Sequence, residues 1–261
     1  MLTALQFALG GVSGVTVGFV LGLVGGGGSV LAVPLMLYVV GVKDPHQAIG
    51  TSALAVAVNA LAGLASHARA GNVNWRCGGV FASAGVVGAM AGSTLGKAID
   101  GQKLLVLFAV LMLAIAALMF RGRGNDGIAG ATCHRGNLGK VLGYGIGTGT
   151  FSGFFGIGGG FLIVPGLIGA TGMPILQAIG TSLIAVAAFG ITTALNYATS
   201  GYVIWPLAGV FVLGGLAGTL IGTRVSHGLS GKKGQLNTLF AGFVALVALY
   251  IVYRSWAALN G

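Results

Sequence analysis

Apolar residues fill this chain in long blocks that no charge interrupts. Residues 1–42 contain no Asp, Glu, Lys or Arg, nor do 45–68, 77–96, 104–120 and 234–253, and 141–223 is a run of 83 positions without one. These blocks approach or exceed the roughly 20 apolar residues that a helix needs to cross a bilayer. Glycine and proline punctuate them, and the pattern predicts the same elements twice. First comes an apolar segment broken at Gly25–Gly28 or Gly156–Gly160, then a short apolar run to about Val40 or Ile168. A helix follows from Pro45 to about Ala68, matched by Pro174 to about Ala198. Asp44-Pro45-His46-Gln47 reads as an N-cap, a proline at the first helical position and a Gln at the third. A further helix is expected from Trp75 to Ile99, matched by Trp205 to His227, and a last one from Lys103 to Phe120, matched by Lys233 to Tyr253.

The repetition extends to identities. Gln47-Ala-Ile-Gly-Thr-Ser52 recurs unchanged as Gln177-Ala-Ile-Gly-Thr-Ser182, an offset of 130 that also pairs Gly71 with Gly201, Trp75 with Trp205 and Phe81 with Phe211. Over 47–92, 19 of 46 aligned positions are identical. Upstream the offset is 131, and Gly25, Gly27, Gly28, Leu31 and Pro34 meet Gly156, Gly158, Gly159, Leu162 and Pro165. The chain is therefore a duplication: a first transmembrane repeat over 1–120, a polar linker over 121–140, and a second repeat over 141–261. Gly85, Gly88 and Gly92, repeated as Gly215, Gly218 and Gly222, lie at helical spacing and read as close helix packing.

Composition narrows the class. Only 6% of residues are charged against 56% hydrophobic, and mean hydropathy is +0.98, where soluble domains carry roughly 25% charge. The 51 glycines sit among Leu, Val, Ala and Ile, so they do not signal disorder. A signal peptide is not expected, since 1–24 lacks a basic start and the apolar stretch continues past any cleavage site. Cys77 and Cys133 have no metal spacing and read as small helix-end or loop residues.

The net charge of +10 comes from 13 Lys and Arg that form no stripe, so it reports topology and not nucleic-acid binding. If each broken segment crosses once, the basic residues divide seven against six. If the chain turns back at the glycines, Arg69, Arg76, Arg121, Arg123, Arg135, Lys140, Arg224, Lys232 and Lys233 share one side, against Lys43, Lys97, Lys103 and Arg254. Nine against four obeys the positive-inside rule. Thr3 to Val40 spans 38 residues, about 57 Å if helical and nearly twice the hydrocarbon thickness. The expected fold is thus an all-α polytopic membrane protein of two inverted repeats, each a glycine-broken first helix or hairpin plus three further transmembrane helices. Both termini lie outside and the 121–140 linker is cytoplasmic.

Paired glycine breaks at matching positions in two halves point to a transporter site, because bare backbone at membrane depth is tolerated only where it is buried or lines a cavity; a purely tight packing point is the alternative. The helix starts after Gly25, Gly27, Gly28 and Ser29, and after Gly156, Gly158, Gly159 and Gly160, present N–H groups that suit an anion. Thr51, Ser52, Thr181 and Ser182 add hydroxyls, with the alternative that they bond back to their own helices. Asn59 and Asn196 are further polar residues inside apolar helices, as ligand donors or as interhelical glue. Glutamate is absent, and Asp44, Asp100 and Asp126 all lie outside the helix cores, so no cation site or carboxylate relay is visible. His67, His227, Lys97 and Arg224 lie near helix ends, where interfacial or topological roles compete with proton relay and anion attraction. No nucleophile–base pair, metal cluster or cofactor motif appears, and Gly143-x-Gly145-x-Gly147 lacks the strand–turn–helix context of a dinucleotide site.

The two Gly-rich breaks, each with its downstream proline, and the twin Gln-Ala-Ile-Gly-Thr-Ser motifs resemble the TauE/SafE family, the sulfite exporter and sulfonate permease group, over about 10–255. The resemblance implies a transporter, expected to be an exporter, of sulfite or small organosulfur anions such as sulfoacetate, in the bacterial inner membrane. The anion would be bound near the midplane by backbone N–H groups and Ser/Thr hydroxyls, with Gly25–Ser29, Thr51, Ser52, Gly156–Gly160, Thr181 and Ser182 as the corresponding positions. A passive channel for small anions would share the same chemistry. The expected partners are that anion and the lipid bilayer, with no cofactor and no metal.

Overall fold

The computed structural model describes residues 3–121, Cys133, 136–156, 160–228 and Leu249. All regular structure among them is helical. Helix α1 spans Ala4–Val24, followed by a tight 3-10 stretch over Gly25–Leu31, a short α2 over Ala32–Pro34 and a π turn over Leu35–Val39. Helices α3 (Pro45–Arg69), α4 (Trp75–Lys97) and α5 (Gly101–Arg121) complete the first repeat. The second contains α6 (Leu138–Phe155), α7 (Gly160–Thr171), α8 (Ile175–Ala198) and α9 (Trp205–Gly228); the expected last helix, Lys233 to Tyr253, falls almost entirely outside the described residues. Five of the described helices are long and apolar enough to cross a membrane.

Local chemistry sets the boundaries. Thr3 and Gln6 cap α1 reciprocally, and the Asp44 carboxylate accepts from His46 N at 2.9 Å ahead of Pro45, as the sequence predicts for α3. Asn74 Oδ1 accepts from Cys77 N at 3.0 Å and starts α4. The chain reverses at glycines in the left-handed region, and these pair across the repeats: Gly25 with Gly156, Gly41 with Gly172, and Gly71 with Gly201. The duplication read from side chains is therefore a duplication of backbone too.

The longest seams join one repeat to the other. A Cβ on Gly14, Gly18 or Gly22 of α1 would fall on the backbone of Phe211, Gly215 or Thr219 of α9, while Gly214, Gly218 and Gly222 face Gly11, Val15 and Phe19. Residue numbers rise together, so α1 and α9 run parallel. Gly85, Gly88 and Gly92 of α4 lie in the same way on Gly145, Ile146 and Thr150 of α6. The close-packing reading of those glycines holds, because small residues let helix backbones touch where no water drives them together.

At the centre, Gly63 of α3 packs on Leu183 of α8, and Gly190 of α8 on Ala53 and Ala57 of α3. Here the numbers run in opposite senses, so the two homologous helices are antiparallel. Asn59 and Gly63 of α3 meet Gly215 and Thr219 of α9 in parallel. Since α1 and α3 both run parallel to α9, the 15 residues of Gly25–Val39 must run back between them. Gly28 shows the fold-back directly, for its Cβ would meet the backbone of Val20 and Leu21. Val30, Leu31, Ala32, Val33 and Met36 are all at most 1% exposed, which explains how non-α backbone survives at this depth: protein, not lipid, surrounds it.

Cys77 and Cys133 form a disulfide, with Cα atoms 5.3 Å apart. Their sequence contexts gave no sign of a pair, since 56 residues separate them. The bond ties the linker to the first turn of α4.

Candidate functional site

Each glycine break rests on the hexapeptide of the other repeat. The space beside Gly25 is taken by Ile179, and that beside Gly156 by Ile49. Gly25 (φ 75°) and Gly156 (φ 66°) end α1 and α6 in conformations that a Cβ would strain. Gly27, Gly28 and Ser29 follow as buried residues of the tight helical stretch, and Gly160 opens α7, also buried. Gly158 and Gly159 lie outside the described residues.

The hexapeptides themselves act as cross-repeat clamps. Thr51 Oγ1 accepts from Ile204 N at 3.0 Å, and Thr181 Oγ1 accepts from Asn74 N at 2.9 Å. Both donors lie in the short loop before the third long helix of the opposite repeat. Gly50 and Gly180 admit those loops, facing Tyr202 O and Asn72 O. Ser52 and Ser182 donate back to Ile49 O and Ile179 O at 3.1 and 2.7 Å. The motif is thus explained residue by residue: Ile seats a glycine break, Gly admits a loop, Thr holds that loop, and Ser bonds its own helix. The Thr hydroxyls accept in these contacts, so each retains its own proton for donation.

This arrangement changes what a threonine substitution should do. Thr51→Val or Thr181→Val removes the acceptor of a partly buried N–H, and each is expected to destabilise the protein by about 1–3 kcal/mol. Thr51→Ser and Thr181→Ser keep the oxygen and should not. Thermal unfolding in detergent checks this, and a valine variant as stable as wild type would show the clamp to be idle.

The two asparagines have different surroundings. Asn196 donates to Ser93 Oγ and Thr94 Oγ1 at 2.6 and 3.1 Å, and Lys97 Nζ donates to Asn196 O, Asn196 Oδ1 and Ser200 Oγ at 2.8–2.9 Å. Lys97 therefore spends its three protons closing the end of α8 onto α4. Asn59, fully buried in mid-helix, has no hydrogen-bond partner for either Oδ1 or Nδ2 among the described residues and lies against Gly215. Sequence reasoning missed Thr219, also fully buried and without a partner among the described residues, one turn beyond Gly215. It missed the ring cluster of His46, Tyr197 and Tyr202 as well, with centroids 5.3–6.1 Å apart. A lone hydroxyl in an apolar helix carries no signal, because back-bonding is its ordinary fate. Among the described residues no group of His, Cys, Asp or Glu could hold a metal.

Residues 11–251 match the family model described as Sulfite exporter TauE/SafE. The chain belongs to the TauE/SafE family. It is 53% identical over 250 residues to a probable membrane transporter protein of Xylella fastidiosa (strain Temecula1), covering 95% of each chain. A probable membrane transporter protein of Methanocaldococcus jannaschii is 25% identical, covering 91% of this chain and 94% of its own. The Bacillus subtilis probable membrane transporter protein YdhB is 27% identical, covering 80% and 86%. No solved structure matches. This TauE/SafE member is therefore a membrane transporter, built from the breaks, clamps and seams described above.

Proposed function

We propose that this TauE/SafE member exports sulfite or a small organosulfur anion such as sulfoacetate across the bacterial inner membrane. The anion is held near the midplane, between two inverted repeats, by backbone N–H groups and by hydroxyl and amide side chains. The observation that carries this reading is the antiparallel pairing of α3 with α8, with each glycine break seated on the opposite hexapeptide. Homologous helices that cross head to tail are what an inverted repeat requires, and such repeats enclose transported ligands at their interface. Trp75 and Trp205, 60% and 61% exposed, open α4 and α9. Gly78 of α4 lies on Thr181 and Ile184 of α8, and Gly85 on Phe189, so α4 runs parallel to α8 and hence antiparallel to α9; the two indoles sit at opposite ends of the bundle, as aromatic belts at both membrane faces do.

The charge pattern supports an anion. The blocks 45–68, 77–96 and 141–223 contain no acidic residue to repel it. The donors in this reading are backbone N–H groups of the two glycine breaks, the spare protons of Thr51 and Thr181, and the Asn59 amide. Flux into proteoliposomes tests the function. Sulfite or sulfoacetate should move in a saturable way, and an imposed pH gradient should change the rate of a coupled carrier. Linear, gradient-insensitive flux would make the protein a channel, and no flux above empty liposomes would refute transport of this class.

A further inference from the structure

Asn59 is 14 residues into the 25-residue α3, about 21 Å along a helix of about 37 Å. It is therefore close to the midpoint of the span. Its amide is wholly enclosed, and neither of its polar atoms has a partner among the described residues. Thr219 Oγ1 is in the same state one turn along the facing stretch of α9, where Gly63 and Thr219 Cγ2 approach. A buried amide left unpaired forfeits the bonds of its two N–H donors and its acceptor oxygen, and such a group in a native structure calls for an explanation, of which a bound ligand or ion is one.

An amide is not a generic anion receptor. Whichever way its oxygen and nitrogen are turned, Asn59 offers a donor on one side and an acceptor on the other. A bare oxyanion oxygen satisfies the first and is repelled by the second. No Lys or Arg lies in 45–68 or 141–223, so a buried dianion would have no counter-charge there. We propose that the species held at Asn59 is a singly charged oxyanion that still carries a hydrogen-bond-donating proton, protonated sulfite and not the sulfite dianion. Its O–H donates to Asn59 Oδ1, and its unprotonated oxygens accept from Asn59 Nδ2 and Thr219 Oγ1. The proton crosses with the anion, so the protein needs no carboxylate relay of its own. This assignment rests on the transporter reading above and names the form of the substrate.

Calorimetry on the purified protein separates the two ideas, using sulfite on both sides of its second ionisation and methanesulfonate as an oxyanion with one charge and no O–H. For the wild type, the affinity for total sulfite should fall about tenfold per pH unit above that ionisation while methanesulfonate affinity stays level. Protonated sulfite should bind roughly ten- to a hundredfold tighter than methanesulfonate, the worth of one charge-assisted bond. In Asn59→Leu the preference should collapse toward one, with residual methanesulfonate binding reporting a folded site. Equal wild-type affinities for the two anions, tighter sulfite binding above the ionisation, or an unchanged preference in Asn59→Leu would each overturn the assignment while leaving an anion transporter standing. Binding of neither anion by the wild type would remove the proposed substrate class and this assignment together.

Discussion

Gly28→Val is expected to cut transport roughly ten- to a hundredfold while the helices around it still form. Gly28 is buried where the chain folds back on α1, and a Cβ there would meet Val20 and Leu21 backbone, not a side chain that can swing aside. Overpacking of this kind costs about 1–3 kcal/mol or more, and the least costly relief is to push Gly25–Leu31 away from α1. That movement unseats Gly25 from Ile179 and opens the cross-repeat clamp. A shift of that energy in the competent population lowers flux roughly ten- to a hundredfold. Gly79→Val is the matched control, since Gly79 is exposed and has nothing within 4 Å of its Cβ position. Sulfite flux in proteoliposomes, with yield and monodispersity compared in detergent, reads both variants. Wild-type flux from Gly28→Val would take the fold-back out of the transport path.

Reporter fusions at Gly124 and Gly261 are expected to report opposite compartments, with Gly124 in the cytoplasm. The nine-to-four division of basic residues requires it, and the registers agree. With α1 parallel to α3, α6 parallel to α8 through their shared neighbour α4, and α3 antiparallel to α8, α1 and α6 enter the bundle from opposite ends. The disulfide bears on the same question from the other side. Glutathione and thioredoxin would open a bond between Cys77 and Cys133 at a cytoplasmic linker, so in cells quenched in acid with a thiol reagent the pair should be alkylated, although it is closed in the oxidised protein. Two fusions reporting one compartment would contradict inversion. Opposite compartments with Gly124 outside and a blocked cysteine pair would keep inversion and reverse the orientation.

Much of this was legible in the sequence, for reasons that particular residues make plain. The helices were readable because Asp44, Asn74, Pro45 and the paired glycines carry boundary chemistry within a few positions of where it acts. The fold-back at Gly25–Gly28 was readable through charge, as only a reversal puts Arg224 and Lys232 with Arg69 and Arg76. The hexapeptide was conspicuous as an identity, yet its clamp was invisible, because the partners of Thr51 and Thr181 lie 153 and 107 residues away. Distance in sequence also hid the contrast between Asn59 and Asn196. Both are asparagines in apolar helices, and only packing reveals that Lys97, Ser93 and Thr94 satisfy one while Gly215 leaves the other bare. Cys77 and Cys133 illustrate the same limit, since pairing depends on where the linker passes.

The central claim is that a small oxyanion sits between the repeats at the middle of the bundle. A structure of the protein with selenite, the heavier analogue of sulfite, tests it most directly through the anomalous signal of selenium. The account predicts a peak between α3 and α9, within hydrogen-bonding distance of the Asn59 amide and enclosed by both repeats. A peak confined to Lys97 and the end of α8, or to the outer surface, with the Asn59 amide still unpartnered, would contradict it.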